Sequence, residues 1–140
     1  MRRVVIGINT HGRSCVVSDD QVEGPVNVSR TIWALEPKDT AARVAAVDPS
    51  QSPLPVPKGG AVWRDTYIHR WSEARYPLHT TPTVDCTYVL EGVIFLDLED
   101  GSVELHAGDC VVQQATRHAW RNEGDRPVHM LNVLIAPSGG

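Results

Sequence analysis

The chain has no run of Lys or Arg longer than Arg2-Arg3, and its formal charge is −4. It therefore offers no electrostatic footprint for a phosphate backbone, and nucleic acid is excluded as an expected partner. Long hydrophobic runs are missing too. The apolar stretch at Val4-Val5-Ile6 is interrupted by Gly7 and Asn9 before it reaches the length of a secretory core or a membrane span. The expectation is a cytoplasmic protein without a membrane partner. Cysteine is scarce and odd in number, at Cys15, Cys86 and Cys110, which suits neither a disulfide framework nor a zinc knuckle. The thiols read as reduced and mostly buried, and neither Cys86 nor Cys110 has an adjacent base that would make it a nucleophile. No internal repeat is visible, and no helix-turn-helix fits.

What is present is strand signal. Hydrophobic residues make up 41% of 140 residues and charged ones 21%, an ordinary globular balance for one domain that encloses its own core. Runs rich in β-branched and aromatic residues recur at Arg3–Ile8, Arg13–Ser18, Arg30–Leu35, Ala61–Arg70, Thr83–Leu98, Ser102–His106, Asp109–Gln114, Arg117–Arg121 and Pro127–Ile135, divided by turn formers. His11-Gly12 and Asp100-Gly101 read as hairpin turns. The Ala-rich Asp39–Val47 predicts the one short helix, and Asp48–Gly60, with four prolines, predicts an exposed loop. Many short strands on tight turns predict an all-β sandwich or barrel. The expected layout is an N-terminal β-arm over 1–36, a helix and Pro-rich loop over 37–60, and a barrel over 61–137.

Strand alternation sorts the polar residues by face. Asp85, Thr87 and Val89 share one side of their run, and His79 and Thr81 have the same parity. His118 and Trp120 share a face further on. A carboxylate in an apolar β run needs a partner when buried: Asp85 is either a ligand or general base, or it is tied to a neighbouring Thr or Arg. His79 reads as a loop histidine on spacing alone, His118 as a core histidine or a ligand, and Trp120 as packing. Trp63, Tyr67, His69 and Trp71 share parity, and their face is either core or a pocket wall in which Trp63 touches substrate and His69 adds an acid or base. His106 and His129 are expected to face solvent.

Pro77–Asn122 resembles the two-motif core of the cupin superfamily. His79-Thr80-Thr81, three residues, Asp85 and six residues to Gly92 reproduce the spacing of the first motif, and Tyr88-Val89-Leu90-Glu91-Gly92 is typical of the family. Fifteen residues separate Gly92 from Gly108. Gly108-Asp109 opens the second motif, and His118, three residues and Asn122 close it. Gln114-Ala115-Thr116 replaces its usual Pro-x-Gly, and Ala115–Asn122 is similar to the small-monocupin variant Gly-Thr-x-His-x-Trp-x-Asn with Ala for Gly. The resemblance implies a jelly-roll barrel. It also implies a divalent metal (Zn, Fe, Mn, Ni or Cu) on His79, Asp85 and His118, with Thr81 in the place of a second histidine and Asp85 in the place of a glutamate.

Such a site acts on an oxygen-rich small molecule. Decarboxylation, dehydration, isomerisation or cyclisation is the leading expectation, with Asp85, His118 and His69 catalytic and Thr81, Thr87, Trp120 and Trp63 touching substrate. Dioxygenation and turnover-free binding are the alternatives, as is metal-free acid–base work by Asp85 and His118. Similar cupins pair through N-terminal strands, and an exposed Val4-Val5-Ile6 edge invites aggregation, so a homodimer is expected.

Overall fold

The computed structural model describes residues 1–21, 56, 58–70 and 77–138. The expected strand at Arg30–Leu35, the helix over Asp39–Val47 and most of the Pro-rich loop lie outside the described residues.

Among the described residues all regular structure is strand: β1 (Arg2–Ile8), β2 (Ser14–Gln21), β3 (Ala61–Ile68), β4 (His79–Thr80), β5 (Val84–Glu91), β6 (Val93–Leu98), β7 (Gly101–His106), β8 (Cys110–Gln114), β9 (Arg117–Arg121) and β10 (Val128–Ile135). They build a six-stranded sheet, β2-β1-β8-β5-β10-β3, and a four-stranded sheet, β4-β9-β6-β7. The architecture is the all-β two-sheet fold that the strand pattern implied and the jelly roll that the resemblance implied.

The core forms where the two sheets meet. Val4, Ile6, Val89, Val111, Val128 and Met130 from the large sheet pack with Ile94, Leu96, Leu98, Val103 and Leu105 from the small one, and this removal of apolar surface from water is the main stabilising term. Residues at alternate positions of β5, namely Asp85, Thr87 and Val89, are buried, so the core face of the large sheet is fixed by parity. Register carries that face sideways. Asp85 lies opposite Gln113 of β8 and Leu134 of β10, Thr87 lies opposite Val111 and Asn132, and Arg64 of β3 lies opposite Asn132.

Three expectations are corrected. The run Thr83–Leu98 is two strands, not one, because Gly92 takes a left-handed φ of +97°. A Cβ at Gly92 would also stand 3.0 Å from Val128 Cγ2, so glycine alone suits this corner. There the chain leaves the large sheet and enters the small one. Second, Val4-Val5-Ile6 is not an edge: β1 pairs with β2 on one side and, in parallel, with β8 on the other, and all three side chains are buried. The edges of the large sheet are β2 and β3. Third, the odd residues of β3 face outward. Trp63 is 75% exposed and Tyr67 54%, while Val62 and Ile68 on the even face pack against buried clusters.

The N-terminal hairpin is fastened by charge. Arg2 donates from Nε and Nη2 to the two carboxylate oxygens of Asp19 at 2.8 Å each, and from Nη1 to Asp109 Oδ2 at 3.0 Å. Arg3 grips Asp20 in the same two-pronged way. This geometry is the one that makes Arg–carboxylate pairs orientation-specific.

Candidate functional site

At one end of the inter-sheet space the apolar packing gives way to polar groups. The small sheet contributes His79 and His118, which are cross-strand partners on β4 and β9. Their rings are 4.6 Å apart at 52°. Strand β4 is only two residues long, and its pairing with β9 is what turns a loop histidine into a neighbour of His118. His118 is 3% exposed. Burial pushes its imidazole below the ordinary value, its hydrogen bond to the backbone of Thr116 pulls the other way, and His79 lowers it further. Trp120, half-buried on the same face, meets His118 edge-on at 6.4 Å and packs against the core.

The large sheet supplies Asp85, which is 7% exposed and accepts a hydrogen bond from the Thr83 hydroxyl. That neighbour is the threonine partner the sequence allowed. Burial pushes the Asp85 carboxyl above its ordinary value, and Thr83, Arg64 and His79 pull it back in that order. Beside it, Thr87 is buried and accepts from Asn132 Nδ2 at 2.8 Å. Thr81 lies half-buried between β4 and β5.

Of the expected site residues, His118, Trp120, Asp85 and Thr87 are buried or half-buried on the facing surfaces of the two sheets, and the exposed His79 stands beside His118. Trp63 is not among them, being on the outer face, and His69 lies exposed just beyond the end of β3. The parity that groups Trp63, Tyr67 and His69 is right, but it runs along the outside. There Tyr67 stacks on His129 at 4.2 Å and His129 meets Asp65, so His129 is partly covered. His106 sits exposed beside Glu104.

His79 and His118 come from one sheet and Asp85 from the other. Among the described residues no three His, Cys, Asp or Glu side chains converge on one point. His79 and His118 stand together, and Asp85 is held on the opposite sheet by Thr83.

Three functional candidates escaped the sequence reading: Arg64, Gln113 and Asn132. Gln113 is 2% exposed, and its Oε1 and the Oδ1 of Asn132 are buried without a hydrogen-bond partner. The signal that singled out Asp85, a polar side chain within an apolar β run, applies equally to Gln113 in Cys-Val-Val-Gln and to Asn132 in Met-Leu-Asn-Val-Leu. A surface depression of about 760 Å³ opens along β9 and the β6–β7 turn, beside Pro77, Leu78, Arg117 and Arg121. Its charges are already paired, Arg121 with Asp97 and Arg117 with Glu99, and none of the titratable groups above lines it. Trp120 is the one expected site residue that lines it.

A model of the cupin domain matches residues 66–134. Over 71 residues the chain is 42% identical to the "Oryzines biosynthesis cluster protein J" of Aspergillus oryzae, covering 50% of this chain and 38% of that protein. It is 38% identical over 65 residues to the "Phomopsin biosynthesis cluster protein D" of Diaporthe leptostromiformis, covering 46% and 33%. The chain thus spans about a third of the length of the curated relatives it matches. Among solved structures it is similar to the Cupin_2 domain of an XRE family transcriptional regulator from Enterobacter cloacae, at 16% identity over 55% of this chain and 97% of that one, TM-score 0.43. It is also similar to a Cupin 2 conserved barrel domain protein from Salinispora arenicola, at 17% identity over 68% and 89%, TM-score 0.38. Motif spacing, two-sheet architecture and the matched stretch agree: residues 66–134 match the cupin domain.

Proposed function

We propose that the chain is a small-molecule enzyme of the lyase or isomerase kind, which holds an oxygen-rich molecule between its sheets and moves a proton on it. One observation carries this reading: a buried carboxyl, Asp85, and a buried imidazole, His118, belong to the facing sheet surfaces and are each biased toward the uncharged form. A carboxyl and an imidazole on facing surfaces are a pair that can give and take a proton. His79 exerts a charge effect on both groups and is the natural relay. Relatives named as biosynthesis cluster proteins support a place in small-molecule metabolism.

The test is deuterium incorporation at carbon, followed by proton NMR in D2O with a panel of keto acids and hydroxy acids. The expected result is wash-in or product formation that survives EDTA and falls at least tenfold, roughly the low end for general acid–base groups, in Asp85→Asn and in His118→Gln. Wild-type rates in both variants would overturn the reading.

A second reading rests on a different observation. His118 Nδ1 faces the Thr116 carbonyl at 2.9 Å and His79 Nδ1 faces the Pro77 carbonyl at 3.3 Å, the arrangement that fixes a metal-ligating histidine and leaves Nε2 available. Elemental mass spectrometry on wild type, His79→Ala, Asp85→Ala and His118→Ala separates the two. Metal lost with either histidine but kept in Asp85→Ala marks a two-histidine site; metal near zero in wild type after reconstitution removes this second reading.

A further inference from the structure

The large sheet presents more to the inter-sheet space than proton transfer requires. Arg64 belongs to the even, inward face of β3, between Val62 and Thr66, and lies opposite Asn132. It is half-buried, and among the described residues it makes no ion pair or hydrogen bond; the interaction it does have is a charge effect on Asp85. A half-buried guanidinium that feels Asp85 by charge but makes no ion pair or hydrogen bond among the described residues keeps its donors open to a ligand anion. Its planar fork of donors matches a carboxylate. Across the same face, Gln113 Oε1 and Asn132 Oδ1 are acceptors with neither water access nor a partner, in a class of atoms that is nearly always satisfied. Asn132 donates from Nδ2 to Thr87 Oγ1, and its Oδ1 points away from that contact.

We infer that Arg64, Gln113 and Asn132 are the binding frame for a hydroxylated carboxylic acid. Arg64 takes the carboxylate, and the two amide oxygens accept hydrogen bonds from the ligand's hydroxyls. The inference rests on the proposed small-molecule function and narrows its substrate class. Strands β8 and β10 both flank β5, so at about 4.8 Å per strand spacing the two acceptors arise from backbones roughly 10 Å apart. Missing bonds on the protein side thus match groups that such a molecule supplies: one negative end and at least two O–H donors.

The probes are hydroxy acids of two to six carbons, from glycolate to gluconate, with sorbitol as the polyol lacking a carboxylate and hexanoate as the carboxylate lacking hydroxyls. Binding to the full chain is read by isothermal titration calorimetry. At least one hydroxy acid is expected to bind more than tenfold tighter than sorbitol and hexanoate, with the preference over sorbitol lost in Arg64→Met and the preference over hexanoate lost in Gln113→Met and Asn132→Leu. Binding unaffected by all three variants, or sorbitol and hexanoate binding as well as the acids, overturns the frame. A second readout needs no ligand: removing the unpartnered oxygen in Gln113→Met should raise the melting temperature of the free protein, because an orphan buried acceptor is destabilising. A lowered melting temperature would show that Gln113 has a structural partner and would overturn its role. The two proposals fail separately. Deuterium wash-in on compounds outside this class, with no hydroxy acid bound, refutes the frame and leaves the proton chemistry standing; frame-dependent binding without wash-in does the reverse.

Discussion

Ala115 is the residue before Thr116 in the turn that delivers His118, and it is the one non-glycine described residue at positive φ, 53°. An L side chain in the left-handed region costs about 1–2 kcal/mol from the clash of Cβ with the neighbouring carbonyl. Replacing Ala115 by glycine removes that clash. It also frees the unfolded chain, which works against folding by about 0.4–1 kcal/mol. Ala115 is exposed, so the lost methyl removes little buried area, and its backbone N–H still donates to the Thr83 carbonyl at 3.0 Å. The balance is a stabilisation of about 0.5–1 kcal/mol for Ala115→Gly, or roughly 2–4 °C in melting temperature for a domain of this size. The opposite change, Ala115→Val, places a β-branched side chain at the same φ and should destabilise by more than the glycine gains. The assay is urea unfolding at constant m, comparing midpoints. Glycine neutral or worse together with valine tolerated would refute the left-handed turn, and with it the account of how Thr116 comes to face His118 Nδ1. The same position carries glycine in the motif variant that this segment resembles, so the sequence departs from the pattern at a place where the backbone still keeps the glycine conformation.

Further outcomes follow from the core and its charges. Leu96 is fully buried at the centre of the small sheet, and Leu96→Ala should cost about 2–5 kcal/mol, read from the denaturant midpoint. Burial lowers His118 from 6.5, so the unfolded state takes up its proton first; stability should fall as pH drops below about 6.5 toward the lower folded value, and His118→Gln should flatten that slope in melting temperature against pH. Asp85 is raised from 3.8, so its contribution has the other sign: stability falls as pH rises from about 3.8 toward the higher folded value, and Asp85→Asn should remove that component. Asp19 and Asp20 are lowered by Arg2 and Arg3. Their stabilisation is complete above about 3.8 and is lost as pH falls through the lower folded values, which hydrogen exchange should report as faster opening of the β1–β2 amides in acid.

How much of this was legible beforehand depends on whether the information is local. Strand identity is, because β-branched runs and turn residues act over a few positions, and nearly every expected strand among the described residues is found within one or two residues of its place. Strand order is not. The argument for an exposed Val4-Val5-Ile6 edge fails because β8, more than a hundred residues along, lies parallel to β1. Strand β4 is invisible for the same reason: His79-Thr80 has no strand signal of its own and is a strand by virtue of β9. Parity is local and its sense is not. It grouped Asp85 with Thr87 and Trp63 with Tyr67 correctly, yet placing Asp85 inside and Trp63 outside takes knowledge of what each sheet face packs against.

The site divides along the same line. Histidines and a carboxylate were found because they stand at motif spacing, whereas Arg64, Gln113 and Asn132 lie on three strands that meet only through β10 and β5. Local reasoning still held a usable clue. A carboxylate within an apolar β run needs a partner when buried, and the physical reason, the desolvation of a polar group, is indifferent to whether that group is charged. Applied to amides, the same test selects Gln113 and Asn132. The structure then adds what no single strand contains: their oxygens are still without partners after folding. A polar group that the fold buries and fails to satisfy is retained at a cost in stability, and the demand for a donor that it creates is a constraint on whatever molecule the barrel takes in.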